Sequence, residues 1–212
     1  MKFLHLSDLH IGKRVYGFSM LEDQSYILSR ILEIAAGEKP DGVILAGDIY
    51  DKAVPSAEAV RLMDEFLTAL AREGIRIFMV SGNHDSPERI AFGSELMKKN
   101  EVYVSPVYDG KISHITMEDE YGTVTVWLLP FIKPAIVRHV FPEQEIETYQ
   151  DAVRTVLQHI HIDTAERNIL VAHQFVTGAA RCVSELLSVG GIDNADASLF
   201  DRFDYTALGH IH

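Results

Sequence analysis

Short apolar runs in this chain end, again and again, on residues that bind cations or move protons. Phe3-Leu-His-Leu6 leads into Ser7-Asp8-Leu9-His10, Val43-Ile-Leu-Ala46 into Gly47-Asp48, and Ile77-Phe-Met-Val80 into Ser81-Gly82-Asn83-His84-Asp85. Ile169-Leu-Val-Ala172 leads into His173, and Tyr205-Thr-Ala-Leu208 into Gly209-His210-Ile211-His212. Asp or Asn often opens a turn after a strand, but a turn preference does not place Asp, Asn or His after five separate runs. Oxygen and imidazole donors with no thiolate suit hard or borderline divalent cations. The seven candidates Asp8, His10, Asp48, Asn83, His173, His210 and His212 are too many for one ion. They suit two ions a few ångströms apart with one carboxylate between them. Gly47, Gly82 and Gly209 each precede a candidate ligand, and a missing Cβ there allows a tight turn or a close backbone approach.

These residues can meet only if the runs are strands that share a direction. Outside the carboxyl ends of strands in an α/β sheet, loops from different strands converge. The periodicity predicts strands at 2–6, 43–46, 75–80, 124–129, 169–172 and 205–208, with further strands near 102–104 and 111–116. Helical patterns alternate with them. Ser19-x-x-Glu22 has the form of a capping box for a first helix that runs toward Ala36 and stops at Gly37. A second helix follows Pro55-Ser56, with Val60, Met63, Leu67 and Leu70 at helical spacing and an end near Gly74. A third begins at Pro87, and a fourth carries the stripe Tyr149, Ala152, Val153, Val156, Leu157 and Ile160. Residues 184–201 read as a loop-rich excursion with at most a short helix near Glu185 to Leu187. The other His-Ile-His, at 159–161, closes the fourth helix, where residues two apart point to opposite sides and cannot share a metal. His5 lies inside the first strand and is expected to be packed or partnered, and Met63 and Phe66 are expected in the core.

With 212 residues, 47% hydrophobic and 24% charged, the chain can bury one substantial core. No apolar run approaches the ~20 residues that span a bilayer, and Asp8 and His10 interrupt the start too early for a secretory signal. The single cysteine, Cys182, cannot form an internal disulfide and fits a reducing compartment. Residence in the cytoplasm, with no membrane contact, is the expectation. A formal charge of −12 argues against generic nucleic-acid binding through a basic surface, but bound divalent cations can reverse the local field.

Taken together, DLHIG (8–12), GDIYD (47–51), GNHDS (82–86), the AHQF histidine (172–175) and GHIH (209–212) resemble the ordered motifs of the calcineurin-like metallophosphoesterases. The opening SDLHIGK and the closing stretch 186–212 are most similar to the DNA-break-processing nucleases of that family. The resemblance covers essentially the whole chain. It implies an α/β fold in which a two-sheet β-sandwich is flanked by helices, residues 1–212 forming one nuclease domain with a dimetal site at the carboxyl ends of the strands. It implies that Asp8, His10, Asp48 and His212 hold one metal and Asp48, Asn83, His173 and His210 the other, Asp48 being the bridge. His84 corresponds to the histidine that contacts the scissile phosphate or assists the leaving oxygen, and Asp85 is expected to orient His84 by a hydrogen bond.

The same resemblance implies manganese as the ion, with magnesium as the alternative. It implies DNA as substrate, double-strand exonuclease and single-strand or hairpin endonuclease activity in repair, recombination and replication, a homodimer through helices of this domain, and a coiled-coil ATPase partner. Capping and partner-binding regions of the family would lie beyond residue 212. Lys13, Arg14, Lys52 and Arg89 follow the ligand loops and could form a basic rim on the phosphate path. Archaeal and eukaryotic members of the family carry a second histidine three residues after the bridging aspartate, where this chain has Asp51, so a second histidine acid is not expected. The arginines of protein phosphatases in the GD and GNHE motifs are absent too, which argues against phosphoproteins as substrates. Two other readings use the same residues: a phosphodiesterase for nucleotides or small diesters, which would spare DNA, and a silent DNA-end scaffold, which need not hold two ions.

Overall fold

A computed structural model of the chain describes residues 1–177 and 194–210. In chain order the elements begin with β1 (Phe3–Leu6), a hairpin of β2 (Arg14–Val15) and β3 (Phe18–Ser19), α1 (Leu21–Glu38), β4 (Gly42–Ala46) and α2 (Ala57–Arg72). Then come β5 (Arg76–Val80), α3 (Pro87–Ile90), α4 (Ser94–Met97), β6 (Val102–Val104), β7 (Ser113–Asp119) and β8 (Gly122–Leu129). The remainder is α5 (Pro134–Val140), α6 (Tyr149–Gln158), β9 (Arg167–His173), β10 (Val176–Thr177), β11 (Ala195–Asp196) and β12 (Tyr205–Gly209).

Two four-stranded sheets carry the fold. In the first, β1-β4-β5-β6 are all parallel. In the second, ordered β12-β9-β8-β7, the first three are parallel and only β7 is reversed. The period of two in β4 decides how the layers stack. Ile44 and Ala46 face the second sheet and pack with Phe78, Val80, Val126, Leu128 and Val171. Val43 and Leu45 face outward to Leu28 and Ala35 of α1 and to Met63, Phe66 and Leu70 of α2. A matching outer layer joins Trp127, Leu129, Leu170 and Ala172 to Val137 of α5 and Val153 and Val156 of α6. Because both faces of β4 are covered, its sequence is a continuous apolar run and every residue of it is buried. The result is the helix-flanked two-sheet sandwich that the motifs imply.

α2 shows how sequence places a helix. Ser56 caps it by accepting the Ala59 N–H at 3.3 Å. Its buried face is Ala59, Met63, Phe66 and Leu70, so Met63 and Phe66 are core as expected, while Val60 stays 45% exposed. Burial of the three large side chains contributes roughly 1.5–3 kcal/mol each before entropy is counted. α3 begins at Pro87, as predicted.

Two local expectations are corrected, and two elements go beyond the sequence patterns. Ser19 does not cap α1: it is paired with Arg14 in the hairpin, and the cap position falls to Met20, which has no side-chain cap bond. The helix also runs through Gly37 to Glu38, ending where Lys39 turns left-handed (φ 47°) before Pro40. The hairpin itself escapes the sequence patterns, because its turn, Tyr16-Gly17 with φ of 49° and 86°, uses tyrosine where Asn or Asp usually stands. α5 escapes them too, a short helix whose signal is Pro134 at its first position. Of the expected excursion at 184–201, β11 and a 3₁₀ turn over Ala197–Phe200 are described. Cys182 and the expected short helix at 185–187 lie outside the described residues.

Candidate metal centre

The strand ends meet because the two sheets present parallel carboxyl edges on the same side of the molecule. Asp8 N donates to Gly47 O (3.1 Å) and His10 N to Asp48 O (2.9 Å), so the loops after β1 and β4 run alongside each other. Across the sheets, Phe131 N donates to Ser81 O (2.9 Å), tying the end of β8 to the end of β5. The glycines before the ligands are where these loops come closest. A Cβ on Gly82 would land on Asp48, and one on Gly209 would land on Ala46 O and 2.6 Å from His173 Nδ1. Gly47, with φ of 84°, would meet the His173 ring.

Backbone strain gathers at the same place. Of the seven described non-glycine residues with positive φ, four are candidate ligands: Asp8 (55°), His10 (44°), Asp48 (48°) and His210 (73°). Side chains adopt this region at a cost, and it persists where surrounding contacts over-determine it. Those contacts include Gln24 of α1, which sequence reasoning missed. Its Nε2 donates to Leu9 O (3.1 Å) and His10 O (2.8 Å), and its Oε1 accepts from Gly12 N (2.9 Å), so one side chain holds the first ligand loop in shape.

Asp48 stands at the centre, 2% exposed. Its Oδ1 accepts the backbone N–H of His84 at 2.9 Å, which fixes the carboxylate and leaves Oδ2 turned toward imidazoles. His173 Nε2 lies 3.4 Å from Oδ2, His10 Nε2 3.6 Å and His84 Nε2 4.0 Å. Two sets of donors gather around this one carboxylate: Asp48 with His10 and His84, and Asp48 with His173 and His210. Asn83 Oδ1 is 3.0 Å from His173 Nε2. Asp8 accepts the backbone N–H of His210 on both oxygens, at 3.2 and 3.0 Å. The structure therefore brings together Asp8, His10, Asp48, Asn83, His173 and His210. His212 lies outside the described residues.

The buried histidines are oriented as ligands would be. His173 is fully buried, and its Nδ1–H donates to Ala46 O at 2.8 Å. That bond fixes the tautomer and leaves Nε2 as the inward-facing atom, the arrangement seen for metal-binding imidazoles. Burial would push the His173 pKa down, but its hydrogen bond to Asp48 and the charge of that carboxylate outweigh it and hold it above 6.5. Burial likewise opposes ionisation of Asp48, yet His173 and the His84 N–H keep its carboxyl below the usual 3.8. For His10, burial dominates and lowers the pKa, so its imidazole stays neutral. Nε2 of His173 faces two acceptor atoms, Asn83 Oδ1 and Asp48 Oδ2. A proton on that nitrogen satisfies them, and so would a cation. Ligand atoms about 2.0–2.2 Å from one ion stand roughly 3–3.5 Å from one another, which matches the 3.0 and 3.4 Å separations here. The donor set fits a divalent metal.

His84, 45% exposed, sits at the rim with its ring edge-on to His10 at 4.8 Å. Here a further expectation is corrected. Asp85 does not orient His84: its carboxylate accepts from Ile49 N (3.1 Å), Tyr50 N (2.9 Å) and Gly82 N (2.8 Å), clamping the Asp48 loop to the Asn83 loop. The His84 ring is instead held by Nδ1–H donating to the Asp51 carbonyl at 3.0 Å. The Asp51 carboxylate also lies 3.8 Å from His10 Nδ1. Lys13, Arg14, Lys52 and Arg89 are exposed; Arg14 bonds the Gly17 carbonyl and thereby closes the hairpin turn. Away from the centre, His5 Nδ1 meets the Tyr205 hydroxyl at 3.0 Å. His159 ends α6 with Nδ1–H on Thr155 O at 2.7 Å, so both are structural, as expected. No helix among the described residues is long and apolar enough to cross a membrane.

Over residues 1–212 the chain matches the model of a protein family described as calcineurin-like phosphoesterase. It is 36% identical to a protein from Staphylococcus saprophyticus named as the SbcD component of the nuclease SbcCD, an alignment that covers all of this chain and 56% of that protein. It is 37% identical to the protein of the same name from Staphylococcus epidermidis, covering all of this chain and 57% of that one. The chain thus spans a little over half the length of these curated relatives.

Proposed function

The chain belongs to the calcineurin-like phosphoesterase family, and from that premise we propose that it is a metal-dependent nuclease that hydrolyses DNA phosphodiesters at a two-metal centre. The observation that carries the proposal is Oδ2 of Asp48, buried and faced by imidazole nitrogens from the ends of three separate strands. Asp8, His10, Asp48 and His212 would hold one ion, and Asp48, Asn83, His173 and His210 the other. Two divalent ions, manganese in the first instance and magnesium as the alternative, would supply a water of lowered pKa and neutralise charge on the nonbridging phosphate oxygens.

The protein's own groups do the rest. The acceptor-lined centre excludes a bare phosphate until cations are present, which reconciles a chain of charge −12 with a polyanionic substrate. His84, its Nδ1–H anchored on Asp51 O, keeps Nε2 close to Asp48 Oδ2, so a phosphate held at that carboxylate comes within its reach. Protonated, it stabilises charge on the phosphate or gives a proton to the leaving oxygen, a role that typically contributes 10²–10⁴-fold. The relatives' name supports a nuclease that works as one subunit of an SbcCD assembly; double-strand exonuclease and single-strand or hairpin endonuclease activity, with an SbcC-type ATPase as partner, complete the proposal. Exposed Val60, Phe92 and Leu96 are consistent with homodimer contacts through this helical region.

The test is manganese-dependent cleavage of a DNA hairpin by the chain and by its Asp48→Ala and His84→Ala versions, with a chromogenic phosphodiester alongside. Cleavage that disappears in Asp48→Ala and falls at least a hundredfold in His84→Ala, with metal retained in the latter, supports the proposal. Turnover of the chromogenic diester with no DNA cleavage assigns the site to small phosphodiesters, and equal residual rates in all three chains refute it.

A further inference from the structure

Beside the metal centre, on the side of Asn83 and His210, a cleft of about 260 Å³ is lined by those two residues together with Phe131, Lys133, Tyr149 and Phe175. The four added side chains belong to none of the candidate ligands, yet the cleft opens directly onto the centre. Phe131 lies 5.9 Å from Tyr149 and 6.3 Å from His210, and Phe175 stands 5.7 Å from His210 and nearly perpendicular to it. Lys133 is the one cation among the lining residues, is exposed, and forms no ion pair among the described residues. Pockets for drug-sized ligands run from roughly 300 Å³ upward, and this cleft falls just below that range, on the scale of a single nucleoside.

We propose that this cleft is a nucleoside subsite: it takes the base and sugar on one side of the scissile phosphate, with Tyr149 and Phe175 contacting the base and Lys133 the next phosphate along the strand. The inference rests on the phosphodiesterase reading above and adds to it which part of the substrate the chain grips. Aromatic faces accept any base, because every base has a π-face, so the subsite confers a demand for a base without a demand for sequence. It also fixes the side of the scissile bond on which that base must lie. Lys133, as a point charge, adds affinity that weakens with salt.

The experiment uses three dinucleotides that share one phosphodiester: dTpdT, and two analogues in which the 5′ or the 3′ nucleoside is replaced by an abasic tetrahydrofuran residue. With manganese, removing one of the two bases is expected to lower kcat/KM by about 5- to 150-fold, the range that base–aromatic stacking supports, while removing the other changes it less than threefold. In Tyr149→Leu and, separately, Phe175→Leu, that ratio falls toward one. In parallel, saturation-transfer NMR on metal-free protein with thymidine, which carries no phosphate to be repelled by the metal-free centre, reads the thymine methyl group directly, and its signal is expected to drop in both variants. The subsite is overturned if both abasic analogues match dTpdT, or if the ratio survives in both variants. Absence of cleavage of every dinucleotide, with a thymine signal that the variants abolish, would refute the nuclease reading and leave the subsite standing.

Discussion

Asp85→Ala separates a carboxylate that builds the site from one that tunes a catalytic histidine. Asp85 is 7% exposed, and its two oxygens accept the backbone N–H groups of Ile49, Tyr50 and Gly82 at 2.8–3.1 Å. Each buried donor left without an acceptor costs about 1–3 kcal/mol, so the alanine variant loses at least ~3 kcal/mol even at the low end for all three. At about 2–4 °C per kcal/mol for a domain of this size, Tm falls by roughly 6–12 °C. Asp85→Asn should be milder for two reasons. Its single carbonyl oxygen can still accept from Ile49 and Gly82, which share Oδ2, leaving the Tyr50 N–H opposed by an amide NH₂. Burial also pushes the Asp85 carboxyl pKa up against its backbone hydrogen bonds, so removing the charge relieves part of a desolvation cost. About a third of the alanine effect is expected. The assay is thermal unfolding followed by circular dichroism in EDTA, with manganese affinity measured separately by calorimetry. Because the clamp joins the loops of Asp48 and Asn83, affinity should fall along with Tm. An alanine variant with unchanged Tm and metal affinity but reduced turnover would refute the clamp and return Asp85 to a role beside His84.

Two further outcomes follow from the same geometry. Gly209→Ala places a methyl group on the Ala46 carbonyl and against His173; backbone cannot move aside cheaply, so manganese affinity should drop at least tenfold, and unaltered affinity by calorimetry would contradict the close approach. In the metal-free protein, His173 has a folded pKa above its ordinary 6.5, so its stabilising contribution is complete below about that pH and is lost as pH rises through the higher folded value. Urea unfolding in EDTA should therefore show stability declining from pH 6.5 upward, with the decline absent in His173→Gln; a flat profile in the parent protein would contradict the ion pair with Asp48.

Most of the centre was legible because its residues follow apolar runs whose period of two also sets the layers, as Ile44 and Val43 show by facing opposite ways. What the sequence could not display were contacts set by folding across distance. Gln24 is an unremarkable helical residue until α1 places it beneath the His10 loop. Asp85, next to His84 in sequence, bonds backbone on a different strand end. Left-handed conformations at Asp8, His10, Asp48 and His210 carry no glycine signature. Ser19 illustrates the reverse error, a valid capping pattern overruled because hairpin pairing claimed the residue first. Phe131, by contrast, could have been found: it follows the end of β8 as the ligands follow theirs, but an aromatic ring does not look like a ligand.

The central claim is that one buried carboxylate, Asp48, serves two cations at once. Manganese stoichiometry measures this directly, by equilibrium dialysis followed by elemental analysis of the parent chain and of Asp48→Ala. Two ions per parent chain and fewer than one per variant chain are predicted. A parent chain that binds one ion or none, or a variant that still binds two, would contradict the account.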